Sequence, residues 1–145
     1  MPNNYKALVK LRKQQFDRAE QDLASANALV LKLEQQKVKL QQESSHIALP
    51  TVGKGGQIAA LMVQKEAIRL AIESIESQIE VAKQTKREKE VALKEAHIAY
   101  EQAKTLEAYY VKKIIEKEKR DIQNSLDEIA SQRFWRDYVE RVNEV

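Results

Sequence analysis

The chain has no cysteine, only two prolines and only three glycines in 145 residues, and the glycines fall together with one proline in the stretch "ALPTVGKGGQIAAL" at 48–61. Without thiols there is no disulfide scaffold and no thiolate metal site, which suits a reducing compartment. Aromatics make up 6% of the residues and hydrophobic residues 43%, against 32% charged, which is thin material for a globular core. The longest aliphatic run, Ile58 to Val63, falls far short of the roughly 20 residues that span a bilayer, and the opening "MPNNYKALVK" has no apolar signal core. No pole of charge exists either. The 25 basic and 22 acidic residues are mixed along the chain, so nothing collects one sign to grip a polyanion, and nucleic acid is not an expected partner. What remains abundant is Ala, Glu, Lys, Gln, Leu and Ile, the composition of long helices or a coiled coil. A cytoplasmic, elongated molecule is expected.

The apolar residues are placed accordingly. From Tyr5 to Ile47 two series recur every seven residues: Tyr5, Arg12, Ala19, Ala26, Leu33, Leu40, Ile47 and Val9, Phe16, Leu23, Val30, Lys37, Ser44. Their offset is the a and d spacing of a left-handed coiled coil. Beyond the glycines the pattern returns as Ile58, Lys65, Ile72, Ile79, Lys86, Leu93, Tyr100 and Leu61, Ile68, Ile75, Ala82, Lys89, Ala96, Ala103. The fold class expected is therefore all-α, a long antiparallel two-helix coiled-coil hairpin whose second helix overhangs at its C-terminal end. Asn3 or Asn4 can cap the first helix, and Pro50 disfavours helical geometry at Leu49. The expected organisation is a single elongated domain: helix 1 over about 4–48, a turn over about 49–57, and helix 2 over about 58–140. If facing residue numbers sum to 105, every layer sets an a against a d. Leu33 then meets Ile72, Ala26 meets Ile79 and Tyr5 meets Tyr100, and the overhang starts at about residue 101.

The overhang holds most of the aromatic residues, Tyr109, Tyr110, Phe134, Trp135 and Tyr138, and its apolar Val111, Ile115, Ile122 and Ile129 follow helical spacing off the first seam. An uncovered apolar stripe marks a docking surface. "SLDE" at Ser125 to Glu128 matches a capping box, but four-residue matches are common and an unbroken helix is expected.

Signals for chemistry are weak. "GKGG" at 53–56 lacks the preceding strand, the spacing and the Ser or Thr of a phosphate loop, and reads as a hairpin turn. His46 and His97 lie near opposite ends of the paired region and cannot share a metal. Neighbouring carboxylates such as Glu88 with Glu90 have no pocket to raise a pKa. In "KKIIEKEKRD" at 112–121 acidic residues interrupt the basic ones and no aromatics interleave, so it reads as a solvated face or a surface for an acidic protein. No catalytic, cofactor or metal site is expected, and the chain is not expected to be an enzyme.

The tail "YYVKKIIEKEKRDIQNSLDEIASQRF", Tyr109 to Phe134, resembles the C-terminal part of the FliJ family of flagellar type III export proteins, above all in the "LDEIA" ending at Leu126, Asp127, Glu128, Ile129 and Ala130. The start, "LVKLRKQQFDRAEQDLASA" from Leu8 to Ala26, resembles the family's opening helix. The resemblance implies a non-enzymatic central stalk and adaptor, similar in architecture to the stalk of rotary ATPases. Its implied partners are a hexameric, FliI-like export ATPase, a FlhA-like export-gate protein, and some export chaperones. By that resemblance Tyr109, Tyr110, Ile115, Ile122, Leu126, Asp127, Glu128, Ile129, Phe134 and Trp135 would meet the ATPase. Gln64, Ile68, Ala71 and Ile75, soon after the linker, would meet the gate. The implied location is cytoplasmic, peripheral to the inner membrane at the export gate, with no direct insertion. The alternatives are the equivalent stalk of a virulence-type secretion system and a generic scaffold that forms a weak homodimer through the overhang.

Overall fold

A computed structural model of the chain describes residues 4–48, 53 and 55–144. Two helices account for nearly all of them, with no strand among the described residues: α1, Asn4–His46, and α2, Gly55–Asn143. The fold is all-α, two helices packed on one another as a coiled-coil hairpin. Its contacts group into two compact units, Arg12–Ala99 and Met1–Leu11 with Tyr100–Val145.

In the unit Arg12–Ala99, α1 and α2 pack antiparallel along the heptad seam. Val30, Leu33, Ile79 and Ala82 form its buried centre, with Ile75 packed against them. Ala19 and Ala26 are buried on the same stripe. Alternation of small and large side chains lets the two backbones approach and the side chains interdigitate. The edges carry the charges. Lys37 Nζ reaches Glu76 at 3.3 Å and Lys83 Nζ reaches Glu34 at 3.8 Å, both between helices. Such half-exposed pairs contribute only about 0–1 kcal/mol each, but they discriminate between registers.

The register they report differs from the expected one. Phe16 stacks on His97 at 5.3 Å, and with Lys37 beside Glu76 and Leu33 in one cluster with Ile79, facing numbers sum to about 112 rather than 105. The difference is one heptad. A seven-residue slide returns every a to a d, so the apolar pattern is blind to it. Nor does the connection decide, because the eight residues between His46 and Gly55 reach about 26 Å at 3.3 Å per residue, more than either register needs. The interhelical charge pairs and the Phe16–His97 contact report it. In this register Lys65 lies level with Ile47, just past the end of α1, and it is exposed. Every other position of the two α2 series is at least half-buried, as is every position of the two α1 series.

The helix ends follow from local sequence. α1 closes with Ile47 N–H donating to the Ser44 carbonyl at 3.2 Å, the tightened last turn that satisfies an orphan carbonyl. α2 begins at Gly55, so Gly55 and Gly56 belong to its first turn rather than to a turn reaching 57, and neither has a positive φ. Residues 49–52 and Lys54, on which the rest of the expected hairpin turn falls, lie outside the described residues, as does the proposed cap Asn3.

In the other unit, residues 4–11 of α1 lie against the start of the C-terminal stretch of α2. Tyr5 and Tyr110 stack at 5.2 Å with their rings inclined by 53°, so Tyr5 meets Tyr110 rather than Tyr100. Ala103 is only 1% exposed. A methyl at that position is what permits close approach of the two backbones. Glu107 and Tyr110 are half-buried, and from Val111 to Glu144 every residue is exposed. The uncovered stretch thus begins about one heptad later than residue 101. α2 runs through Ser125–Glu128 without a break, so the capping-box pattern is not used.

Candidate docking surface

Helix persists beyond Val111 with no neighbour on it because its composition supports it locally. Gln123 Nε2 donates to Asp127 Oδ1 at 3.0 Å across one turn. The Lys113 ammonium lies 5.0 Å from the centre of the Tyr109 ring, and hydrogen bonding and charge from that tyrosine raise the Lys113 pKa. Each such local pair is worth only a few tenths of a kcal/mol, but they recur along a segment of strong helix formers.

The exposed side chains separate into two faces. At about 100° per residue, Val111, Ile115, Ile122, Leu126 and Ile129 fall within an arc of about 60°. Phe134, Trp135, Tyr138 and Val142 fall on roughly the opposite side of the same helix. The aliphatic stripe starts in an open groove of about 670 Å³, where Val9 of α1 meets Ala108, Val111 and Ile115 of α2. Lys104, Lys112 and Lys119 border it, with Glu107 and Glu116 among them. The aromatic face is ordered by edge-to-face contacts: Phe134 with Trp135 at 6.1 Å and Trp135 with Tyr138 at 5.8 Å. Phe134 is 67% exposed and Trp135 59%, although aromatic rings are among the costliest side chains to leave in water.

The residues singled out for ATPase contact are therefore not on one face. Ile115, Ile122, Leu126 and Ile129 share the stripe, whereas Phe134 and Trp135 lie across the helix from it. Tyr110 is half-covered by Tyr5, Tyr109 is exposed, and Asp127 and Glu128 are exposed off the stripe. Ala108, Val111 and the bordering lysines complete the groove, and the recurrence of apolar residues at 108, 111 and 115 is the signal that points to them. Of the residues singled out for the export gate, Gln64 is exposed. Ile68 and Ala71 are half-buried, and Ile75 packs into the seam against the Val30 cluster.

Among the described residues no group of three His, Asp or Glu side chains could hold a metal ion, and no helix is long and apolar enough to cross a membrane. His97 faces Phe16, and His46 is exposed at the end of α1. What the geometry can do is present a helical surface to another protein.

Two packed helices, the second with an exposed C-terminal stretch, define a helical coiled-coil protein. The chain belongs to the FliJ family: the family model described as "Flagellar FliJ protein" matches residues 2–138. Membership makes it a protein associated with flagellar export. No curated protein and no solved structure matches it significantly.

Proposed function

We propose that this chain is the non-enzymatic central stalk and adaptor of the flagellar export apparatus, docking on a ring-forming export ATPase through the uncovered part of α2. The observation that carries this reading is the aliphatic stripe from Val111 to Ile129, exposed on a continuous helix and opening from the groove beside Val9. Exposed isoleucines at helical spacing are unfavourable in water and become favourable when a partner covers them, at about 25 cal/mol per Å² of apolar surface. The lysines beside the stripe suit a ring lumen of acidic character and would speed its encounter with the helix.

Contact with the export gate belongs to the same reading. There Gln64 and the exposed flank beside it offer the surface, since Ile75 is engaged with α1. The protein would act in the cytoplasm, peripheral to the inner membrane, with escort of export chaperones as a further role. Co-purification tests the reading. A chain ending at Lys112 retains the Tyr5–Tyr110 contact and all of the paired seam. The full chain should bind the export ATPase and stimulate its ATP hydrolysis, and the shortened chain should do neither. Equal binding by both would overturn it.

A further inference from the structure

The seam that binds α1 to α2 is resumed at the far end of α2. Tyr100, Ala103, Glu107 and Tyr110 occupy successive a and d positions, and at the same heptad phase Trp135, Tyr138 and Val142 are apolar again. Phe134 and Val139 widen this into a g-a-d-e face. α1 begins at Asn4, next to the residue that stacks on Tyr110, so no part of that helix reaches 134–142. Between the two apolar parts the phase runs through Ile114, Lys117, Asp121, Asn124, Glu128 and Ser131, and is polar from Lys117 onward. The seam is thus not continuous enough to extend one long hairpin, but it is complementary to a copy of itself.

We propose that a second copy of this chain occupies the aromatic face, the two C-terminal stretches of α2 pairing antiparallel about a two-fold axis near residue 133. In that register Phe134 meets the partner's Phe134 at the axis. Trp135 packs over the partner's Ser131, whose small side chain leaves room for the indole, and Tyr138 sets its hydroxyl against the carboxylate of the partner's Glu128. Asp127 faces the partner's Arg141 at the g positions, and symmetry repeats that pair. Sliding one heptad in either direction is worse. One way shortens the overlap to roughly residues 131–142; the other brings Arg120 against the partner's Arg141 and separates the phenylalanines.

The area is that of a weak, concentration-dependent dimer. Phe134, Trp135 and Tyr138 are 67%, 59% and 53% exposed, so of the about 150–250 Å² that full burial of each ring covers, the two copies together have about 700 Å² left to remove from water, and Val139 and Val142 bring the total towards the ~1,000 Å² lower limit of specific interfaces. The aliphatic stripe points away and stays open. Phe134 and Trp135 are thereby assigned to self-association, leaving Val111 to Ile129 for another partner.

The absence of cysteine makes the test clean. Sedimentation of the full chain over about 1 to 200 µM should show monomer passing to dimer. Phe134→Cys should form a disulfide-linked dimer on mild oxidation, and Ile122→Cys, on the opposite face, should not. Asp127→Arg and Arg141→Asp should each weaken the dimer about tenfold or more, and the double exchange should restore it, which a mere loss of folding would not. A monomer at every concentration would overturn the proposal and leave the face to a different protein. Equal cross-linking at 134 and 122, or no rescue by the double exchange, would overturn this arrangement.

Discussion

The register of α1 on α2 can be tested by building one covalent bond in each of two competing alignments. Ala26 is buried on α1. At a facing sum of about 112 it lies across from Lys86, and at 105 from Ile79, so the two candidate partners sit on the same stripe of α2 one heptad apart. Seven residues of helix are about 10 Å of axial rise, whereas a disulfide needs its Cβ atoms about 3.5–4.5 Å apart. Only one pair can close. In the otherwise cysteine-free chain, Ala26→Cys with Lys86→Cys should oxidise rapidly. By chain-entropy arithmetic, closing a loop of about 60 residues should add roughly 4 kcal/mol to stability before native-state strain is subtracted. Ala26→Cys with Ile79→Cys should stay reduced, and its loss of a core isoleucine should lower the melting temperature. The assay is thiol titration after mild oxidation, followed by thermal melting with and without reductant. Closure of the 26–79 pair with the 26–86 pair left open would refute the register.

Three further outcomes follow from the same packing. Leu33→Ala should cost about 2–3 kcal/mol in urea unfolding, because Leu33 sits in the Val30–Ala82 cluster, whereas Leu29→Ala, about half exposed, should cost no more than about 0.5 kcal/mol. Gly56→Ala should raise stability by up to about 1 kcal/mol: Gly56 is helical, and a Cβ there meets nothing within 4 Å. Glu66 takes two hydrogen bonds from Arg69, at 2.9 and 2.6 Å, and its pKa is lowered by them. A carboxylate with a depressed folded-state pKa stabilises the helix above its unfolded pKa and loses that contribution as pH falls through the folded one. NMR titration should therefore find the Glu66 midpoint moving up towards the ordinary carboxylate value in Arg69→Gln, with little change in melting since both groups are fully exposed.

Much of this was legible in the sequence because a coiled coil writes its geometry as a period. The Ala19, Ala26, Leu33 series and its partner marked the buried stripe residue by residue, and among the series positions only Lys65 is exposed. The gathered glycines fall at the junction of α1 and α2, and two of them, Gly55 and Gly56, are spent on helix. The register was not legible, since a heptad slide leaves every a opposite a d. It is reported by contacts that the apolar period does not encode, Lys37 with Glu76, Lys83 with Glu34 and Phe16 with His97. The exposed C-terminal stretch was visible as aliphatic and aromatic residues beyond the paired heptads. Its division into two faces required following about 100° per residue through an unbroken helix past Ser125, where "SLDE" suggests a restart that does not occur.

The most direct test of the docking account is the affinity of the full chain for the ring-forming export ATPase, measured beside Ile115→Glu/Ile122→Glu/Ile129→Glu. Glutamate preserves helix propensity at these exposed positions, so the coiled coil and its melting should be unchanged. Removing three apolar anchors from one stripe should weaken binding by about tenfold or more and abolish stimulation of ATP hydrolysis. Unaltered affinity and unaltered stimulation would contradict the account.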